Sequence, residues 1–152
     1  MVKMLVMDVD GTLTDGKIYT SATGECMKAF NVKDGYGIKK LICYDIVPVI
    51  ITGRNSQIVQ KRCEELGILE IYQGIENKLE ILKKIMDKYE VAEKDVAYIG
   101  DDENDLECMN HVAIVGCPSD AIEKVKEIAN YVSSEMGGNG AVRDFIEYLL
   151  EC

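Results

Sequence analysis

Short apolar runs of strand character alternate with longer stretches of helical period along nearly the whole chain. That alternation restricts the fold more than any other feature of the sequence. The runs at 4–8, 48–51, 70–72, 96–100 and 113–115 read as strands, and the stretches at 33–45, 56–66, 78–89, 104–110 and 121–129 as helices. A helix between successive strands returns the chain so that the strands lie parallel. The expected class is therefore α/β, a doubly wound, Rossmann-like parallel sheet covered by helices on both faces. The alternation is interrupted once, where 17–20 and 25–31 flank Ser21-Ala22-Thr23-Gly24 and read as a β-hairpin, a flap over the end of the first strand. Met136-Gly137-Gly138-Asn139-Gly140 reads as a flexible joint before a last helix at 141–150, which makes 137–152 a C-terminal tail. The 152 residues suit one domain and leave no room for a separate cap.

Composition narrows the partners. A formal net charge of −10 argues against nucleic acid, whose phosphate backbone is bound through clusters of Lys and Arg. It does not exclude a small anion, because a bound cation and a few basic groups reverse the field inside one cleft. No apolar run approaches the roughly 20 residues that span a bilayer, so no membrane association is expected. The six cysteines (Cys26, Cys43, Cys63, Cys108, Cys117 and Cys152) show no C-x-x-C pair and no zinc spacing. They read as reduced thiols, which points to the cytoplasm.

The chemistry gathers at strand ends. The first strand runs into Asp8-Val9-Asp10-Gly11-Thr12, and the strand at 96–100 runs into Asp101-Asp102-Glu103-Asn104-Asp105. If these strands are neighbours, up to five aspartates share one crevice at the carboxyl edge of the sheet, where open α/β folds bind ligands. Such a cluster repels itself unless some carboxylates protonate or a cation binds, and a hard, oxygen-preferring ion such as Mg2+ answers that need. Thr52-Gly53-Arg54 supplies a hydroxyl, a backbone open to a phosphate and the start of a helix, while Lys78 opens the next helix with a point positive charge. Acids, hydroxyl, amides and lysine together describe a phosphoryl-transfer site. Asp102 and Asp105 stay open between capping the helix that follows and holding Lys78 from behind. Arg54 is balanced between substrate contact and a surface ion pair. Tyr36 either lines a substrate mouth or packs, and His111 reads as a surface residue near a helix end.

Asp8-Val9-Asp10-Gly11-Thr12, Thr52-Gly53-Arg54, Lys78 and Gly100-Asp101-Asp102 resemble, in order, the four motifs of the haloacid dehalogenase superfamily of phosphatases. Within it the chain is most similar to the capless 3-deoxy-D-manno-octulosonate 8-phosphate (KDO 8-phosphate) phosphatases. The residues that carry this are Leu13-Thr14-Asp15-Gly16, Phe30-Asn31-Val32-Lys33-Asp34-Gly35-Tyr36-Gly37-Ile38, Tyr72-Gln73-Gly74 and Gly137-Gly138-Asn139-Gly140-Ala141-Val142-Arg143. The resemblance implies Asp8 as nucleophile, Asp10 as general acid and then base, and Thr52 and Lys78 stabilising the transferring phosphoryl group. It implies Mg2+ held by the Asp8 side chain, the Asp10 carbonyl and Asp101, with Gly53, Arg54 and Asn104 as further substrate contacts. It also implies a homo-oligomer, a tetramer, in which Arg143 helps close a neighbour's site, and a role in lipopolysaccharide biosynthesis. A nine-carbon, sialic-acid-like 9-phosphate is the alternative substrate, and Arg54 in place of an acidic residue favours the eight-carbon sugar. The rival from another class is a phospho-accepting receiver-like signalling domain. There the accepting aspartate sits on a middle strand, whereas the corresponding strand here ends in Thr52. A Ser-His or Cys-His hydrolase is disfavoured by the single histidine.

Overall fold

The computed structural model describes residues 1–151. Six parallel strands form one sheet in the order β5-β4-β1-β6-β7-β8, with β1 at Met4–Met7, β4 at Val47–Ile51, β5 at Glu70–Tyr72, β6 at Val96–Ile99, β7 at Ile114–Cys117 and β8 at Tyr131–Val132. The hairpin forms a separate two-stranded sheet of β2 (Tyr19–Ser21) and β3 (Gly24–Met27), shorter than the sequence suggests. The helices are α1 (Val32–Cys43), α2 (Gln57–Leu66), α3 (Lys78–Tyr89), α4 (Leu106–Met109), α5 (Glu123–Ile128) and α6 (Ala141–Glu151).

The central strands are apolar at every position because both faces are covered. Leu5 and Met7 of β1 point into a layer closed by Ile38 and Leu41 of α1, Val59 and Cys63 of α2, and Phe145 and Ile146 of α6. Met4 and Val6 point the other way, against Leu82 and Ile85 of α3, Cys108 and Met109 of α4, and Val125 of α5. The chain leaves β1 towards β4 and β5, then returns to place β6 on the opposite side of β1. That reversal opens a crevice at the carboxyl ends of β1 and β6. The register pairs Met7 with both Ile50 and Ile99, so Asp8, Thr52 and Asp101 emerge on one edge.

Two local expectations differ from the structure, and one strand has no signal in the sequence. The stretch at 104–110 is a 3-10 turn over Glu103–Asp105 followed by one turn of α-helix, because Asp102 and Asp105 close a capping box that tightens the entry. Strand β8 has two residues, too few to show any period. The glycine-rich segment before α6 is no free joint: Gly138 N–H donates to the Thr12 carbonyl at 3.0 Å and Gly137 N–H to Asp120 Oδ1 at 2.9 Å. Of the cysteines, the five within the described residues are free, and Cys152 lies outside them.

Gly137 lies so close to the loop after β1 that an added Cβ would sit 2.0 Å from the Gly11 carbonyl oxygen. That neighbour is backbone and cannot swing aside. Gly137→Ala is therefore expected to shift the loop carrying Asp10, with a stability loss of about 1–3 kcal/mol from overpacking and a loss of about 10²-fold in activity from misplacement. Thermal denaturation beside initial rates checks this, and parental activity in the variant would contradict it.

Candidate active site

Asp8 follows the last residue of β1, and its Oδ1 accepts a hydrogen bond from Lys78 Nζ at 2.9 Å. The same ammonium donates to Asp105 Oδ1 at 2.9 Å, and the three side chains are almost wholly shielded from solvent. Lys78 reaches the site because Asn77 caps α3 and starts the helix there, its side chain accepting from Glu80 N–H at 3.1 Å. Asp105 is fully saturated. Its Oδ1 also accepts from Tyr98 OH at 2.6 Å, and its Oδ2 from the backbone N–H groups of Asp101 and Asp102.

This resolves the two open aspartates. Asp105 anchors Lys78 from behind and fixes the acidic loop, while Asp102 caps the turn by accepting from Glu103 N–H at 2.7 Å. Carboxylate oxygens of Asp8, Asp101 and Asp105 lie within 4.8 Å of one another. Since Asp105 has four donors already, Asp8 and Asp101 are the side chains of that trio with capacity left for a cation. Asp101 Oδ1 accepts from the Thr12 hydroxyl at 3.3 Å. Gly11, at φ +90°, makes the close approach feasible, because a Cβ there would lie 2.0 Å from Asp101 Oδ2.

Asp8, Asp10, Thr52, Gly53, Arg54, Asp102 and Asn104 line a cleft of about 180 Å³. Thr52 is buried at its floor, and Arg54 and Asn104 are exposed at its rim. Arg143 is not brought to this cleft within the chain. It lies on α6, paired with Glu147 and with its guanidinium 5.2 Å from the centre of the Tyr36 ring, in a groove with Asn31, Lys33 and Glu135. Tyr36 accordingly stands at the surface beneath Arg143 and does not line the cleft. His111 is on the surface beside Glu93, Nδ1 to Oε1 3.0 Å.

One member of the site was not foreseen. Lys28, just after β3, places its ammonium 2.6 Å from Asp10 Oδ1 and 3.1 Å from Glu25 Oε1. Burial works against its charge, but the hydrogen bonds to Asp10 and Glu25 outweigh that and raise its pKa above the ordinary lysine value. No strand period or spacing links position 28 to position 10. Only the folding of the hairpin over β1 joins them.

Without a cation the cluster is strained electrostatically. Burial, then the Asp105 charge, pushes Asp8 up to about 6 against the pull of Lys78. Burial, then the charges of Asp8 and Asp105, pushes Asp101 up to about 8. The oxygen-only donor set and the proton demand of Asp8 and Asp101 both fit a hard divalent ion. Because folding raises these pKa values, the metal-free protein has their favourable contribution in full below the unfolded value near 3.8 and loses it as pH rises through about 6 to 8. A cation that replaces the protons removes that loss. The melting-temperature gap between magnesium-loaded and EDTA-treated protein is therefore expected to widen across this pH range in scanning calorimetry. A gap independent of pH would contradict the assignment.

Residues 57–146 match the model of the haloacid dehalogenase-like hydrolase family. The chain is 44% identical over 149 residues to the 3-deoxy-D-manno-octulosonate 8-phosphate phosphatase KdsC of Escherichia coli strain K12, covering 98% of this chain and 79% of that one. Its fold superposes with a TM-score of 0.96 on the crystal structure of the Yersinia pestis 3-deoxy-D-manno-octulosonate 8-phosphate phosphatase, at 41% identity over 99% of this chain and 81% of that one. The corresponding enzyme of Moraxella catarrhalis, in complex with magnesium ion, phosphate ion and KDO, superposes with a TM-score of 0.95 at 39% identity, covering 99% of this chain and 86% of that one.

Proposed function

Given that the chain belongs to the haloacid dehalogenase-like hydrolase family, we propose that it is a magnesium-dependent phosphatase that hydrolyses KDO 8-phosphate to KDO and inorganic phosphate. The observation that carries the reading is the buried Asp8 carboxylate, bound to Lys78 and opening onto a cleft lined by Asp10, Thr52, Gly53 and Arg54. The magnesium, phosphate and KDO in the Moraxella relative support the substrate.

Asp8 attacks phosphorus, forming an aspartyl phosphate as the bond from phosphorus to the sugar oxygen breaks. Asp10 gives its proton to the departing alkoxide. A water molecule then attacks the same phosphorus, Asp10 takes a proton from it, and the Asp8 carboxylate leaves. Lys78 and the Thr52 hydroxyl hold the non-bridging oxygens, with the backbone of Gly53 close by and Arg54 and Asn104 at the rim. The Asp8 and Asp101 side chains and the Asp10 carbonyl would hold magnesium, which when bound screens the charge of the phosphate and the carboxylates. Asp105 sets the position of Lys78 from behind. A receiver-like domain has no counterpart of Asp10, two residues beyond the acceptor on the same strand end.

The test is a comparison of kcat/KM with magnesium over KDO 8-phosphate, a nine-carbon 9-phosphate and common hexose phosphates. Preference for KDO 8-phosphate by an order of magnitude or more is expected, and equal or better turnover of the nine-carbon substrate would overturn the assignment.

The hairpin and its surroundings leave Ile18, Tyr19, Met27, Val32 and Tyr36 exposed, with Val32 at 79%. This surface supports assembly as a homotetramer, in which Arg143 above Tyr36 reaches a neighbour's cleft. A monomer by light scattering would refute it. Among the described residues no helix is long and apolar enough to cross a membrane, and Cys26 and Cys43 are exposed as free thiols, which supports a reducing, cytoplasmic setting.

A further inference from the structure

The hairpin is an unusual flap because the groups it sequesters are charged. Both of its strands are largely exposed, yet the side chain of Lys28 is only 2% accessible, and those of Asp10 and Glu25 are 21% and 19%. The contacts form a chain. Lys28 donates to Asp10 Oδ1 at 2.6 Å and bridges to Glu25 Oε1 at 3.1 Å, and Glu25 Oε2 accepts from the Ser56 hydroxyl at 2.6 Å. Ser56 is the N-cap of α2, its oxygen accepting from Val59 N–H and its own N–H donating to Gln73 Oε1. A line of polar contacts therefore runs from the loop after β1, through the hairpin, to the helix that follows Thr52-Gly53-Arg54.

Burying an ammonium between two carboxylates is a poor source of stability, since desolvation offsets most of the attraction. Fixing a geometry is a better explanation. One oxygen of Asp10 is occupied by Lys28, which leaves Oδ2 as the atom free to meet the leaving group. We propose that Lys28 is a positioning residue that holds Asp10 in the orientation from which it protonates the departing oxygen, with Glu25 and Ser56 as its tether. The proposal rests on the reading of Asp10 as general acid and adds the residue that aims it. Proton delivery depends on alignment within hydrogen-bond reach, so a carboxylate free to rotate loses much of a contribution of about 10² to 10⁴.

The experiment reads kcat/KM with saturating magnesium over a series of aryl phosphates, from p-nitrophenyl to phenyl phosphate, and on KDO 8-phosphate. This parameter reports steps up to departure of the leaving group and excludes hydrolysis of the aspartyl phosphate. A p-nitrophenolate departs without a proton, whereas phenolate and the sugar alkoxide need one. Lys28→Met, which keeps length and removes charge, is expected to lose less than about threefold on p-nitrophenyl phosphate and about 10²-fold on phenyl phosphate. Asp10→Asn should steepen the same dependence further, and Lys28→Arg should restore most of the parental slope. A uniform loss across the series would make Lys28 a structural pin only and overturn the proposal. Should Lys28→Met fail to fold, Glu25→Gln is read on the same slope, and a parental slope there counts against it equally. If Asp10→Asn also leaves the slope unchanged, the general-acid reading itself fails. If Asp10→Asn steepens it and Lys28→Met does not, the failure belongs to Lys28 alone.

Discussion

Asp8→Asn is expected to lower kcat on KDO 8-phosphate by about 10⁴-fold or more while leaving the fold intact. The amide keeps the shape of the carboxylate and an oxygen to accept from Lys78, but it has no charge with which to attack phosphorus. Stability should not fall. Burial and the Asp105 charge raise the pKa of Asp8 to about 6, so near neutral pH its ionisation opposes the metal-free fold and removing that charge relieves it. Initial rates with magnesium and melting of the EDTA-treated protein check both halves. Turnover within tenfold of the parent, or a marked drop in melting temperature, would contradict the role given to Asp8.

Lys78→Met should be costly in two separate ways. Lys78 lies between Asp8 and Asp105, at 2.9 Å from each and with its side chain 3% exposed. Burial works against its charge, but those two carboxylates raise its pKa, so it stays protonated across the working range. Removing it leaves buried carboxylates without their counter-ion, a loss of about 3–5 kcal/mol for a broken buried pair. It also removes a fixed donor to the transferring group, worth about 10²- to 10³-fold in kcat. The stability loss should shrink as pH falls towards about 6, because the pKa of Asp8 is about 6 with Lys78 in place and higher without the ammonium, so the variant takes up the relieving proton first, whereas the rate loss should persist. Denaturant melts at several pH values, beside rates, separate the two. An equal stability loss at all pH values would point to lost packing and not to the charge.

What was legible in the sequence follows from where the chemistry sits. Asp8, Thr52 and Asp101 lie immediately beyond apolar runs, and in a parallel sheet the ends of neighbouring strands must meet, so alternation of strand and helix was enough to gather them. Lys78 was legible for the related reason that it opens a helix. Asp105 was visible but ambiguous, because it both closes the capping box and anchors Lys78, and the second role rests on tertiary contacts with Lys78 and Tyr98. Lys28 was hidden, since an exposed hairpin gives no hint that one of its charged residues turns inward to Asp10. The segment at 136–140 reads as a flexible joint because glycines signal freedom in isolation. Here they are small so that Gly137 and Gly138 can lie against the backbone of Gly11 to Asp15. Fold class is written in local pattern, and these tertiary contacts are not.

The central claim is that the phosphoryl group passes through Asp8. The direct measurement is to quench the magnesium-loaded enzyme in acid during turnover of KDO 8-phosphate, reduce with borohydride, and map the products by mass spectrometry. An aspartyl phosphate is an acyl phosphate and is reduced to homoserine, whereas a free carboxylate is not. Homoserine at position 8, dependent on both substrate and magnesium and not found at Asp10 or Asp101, is the result expected. Steady release of phosphate with position 8 recovered only as aspartate would contradict the account.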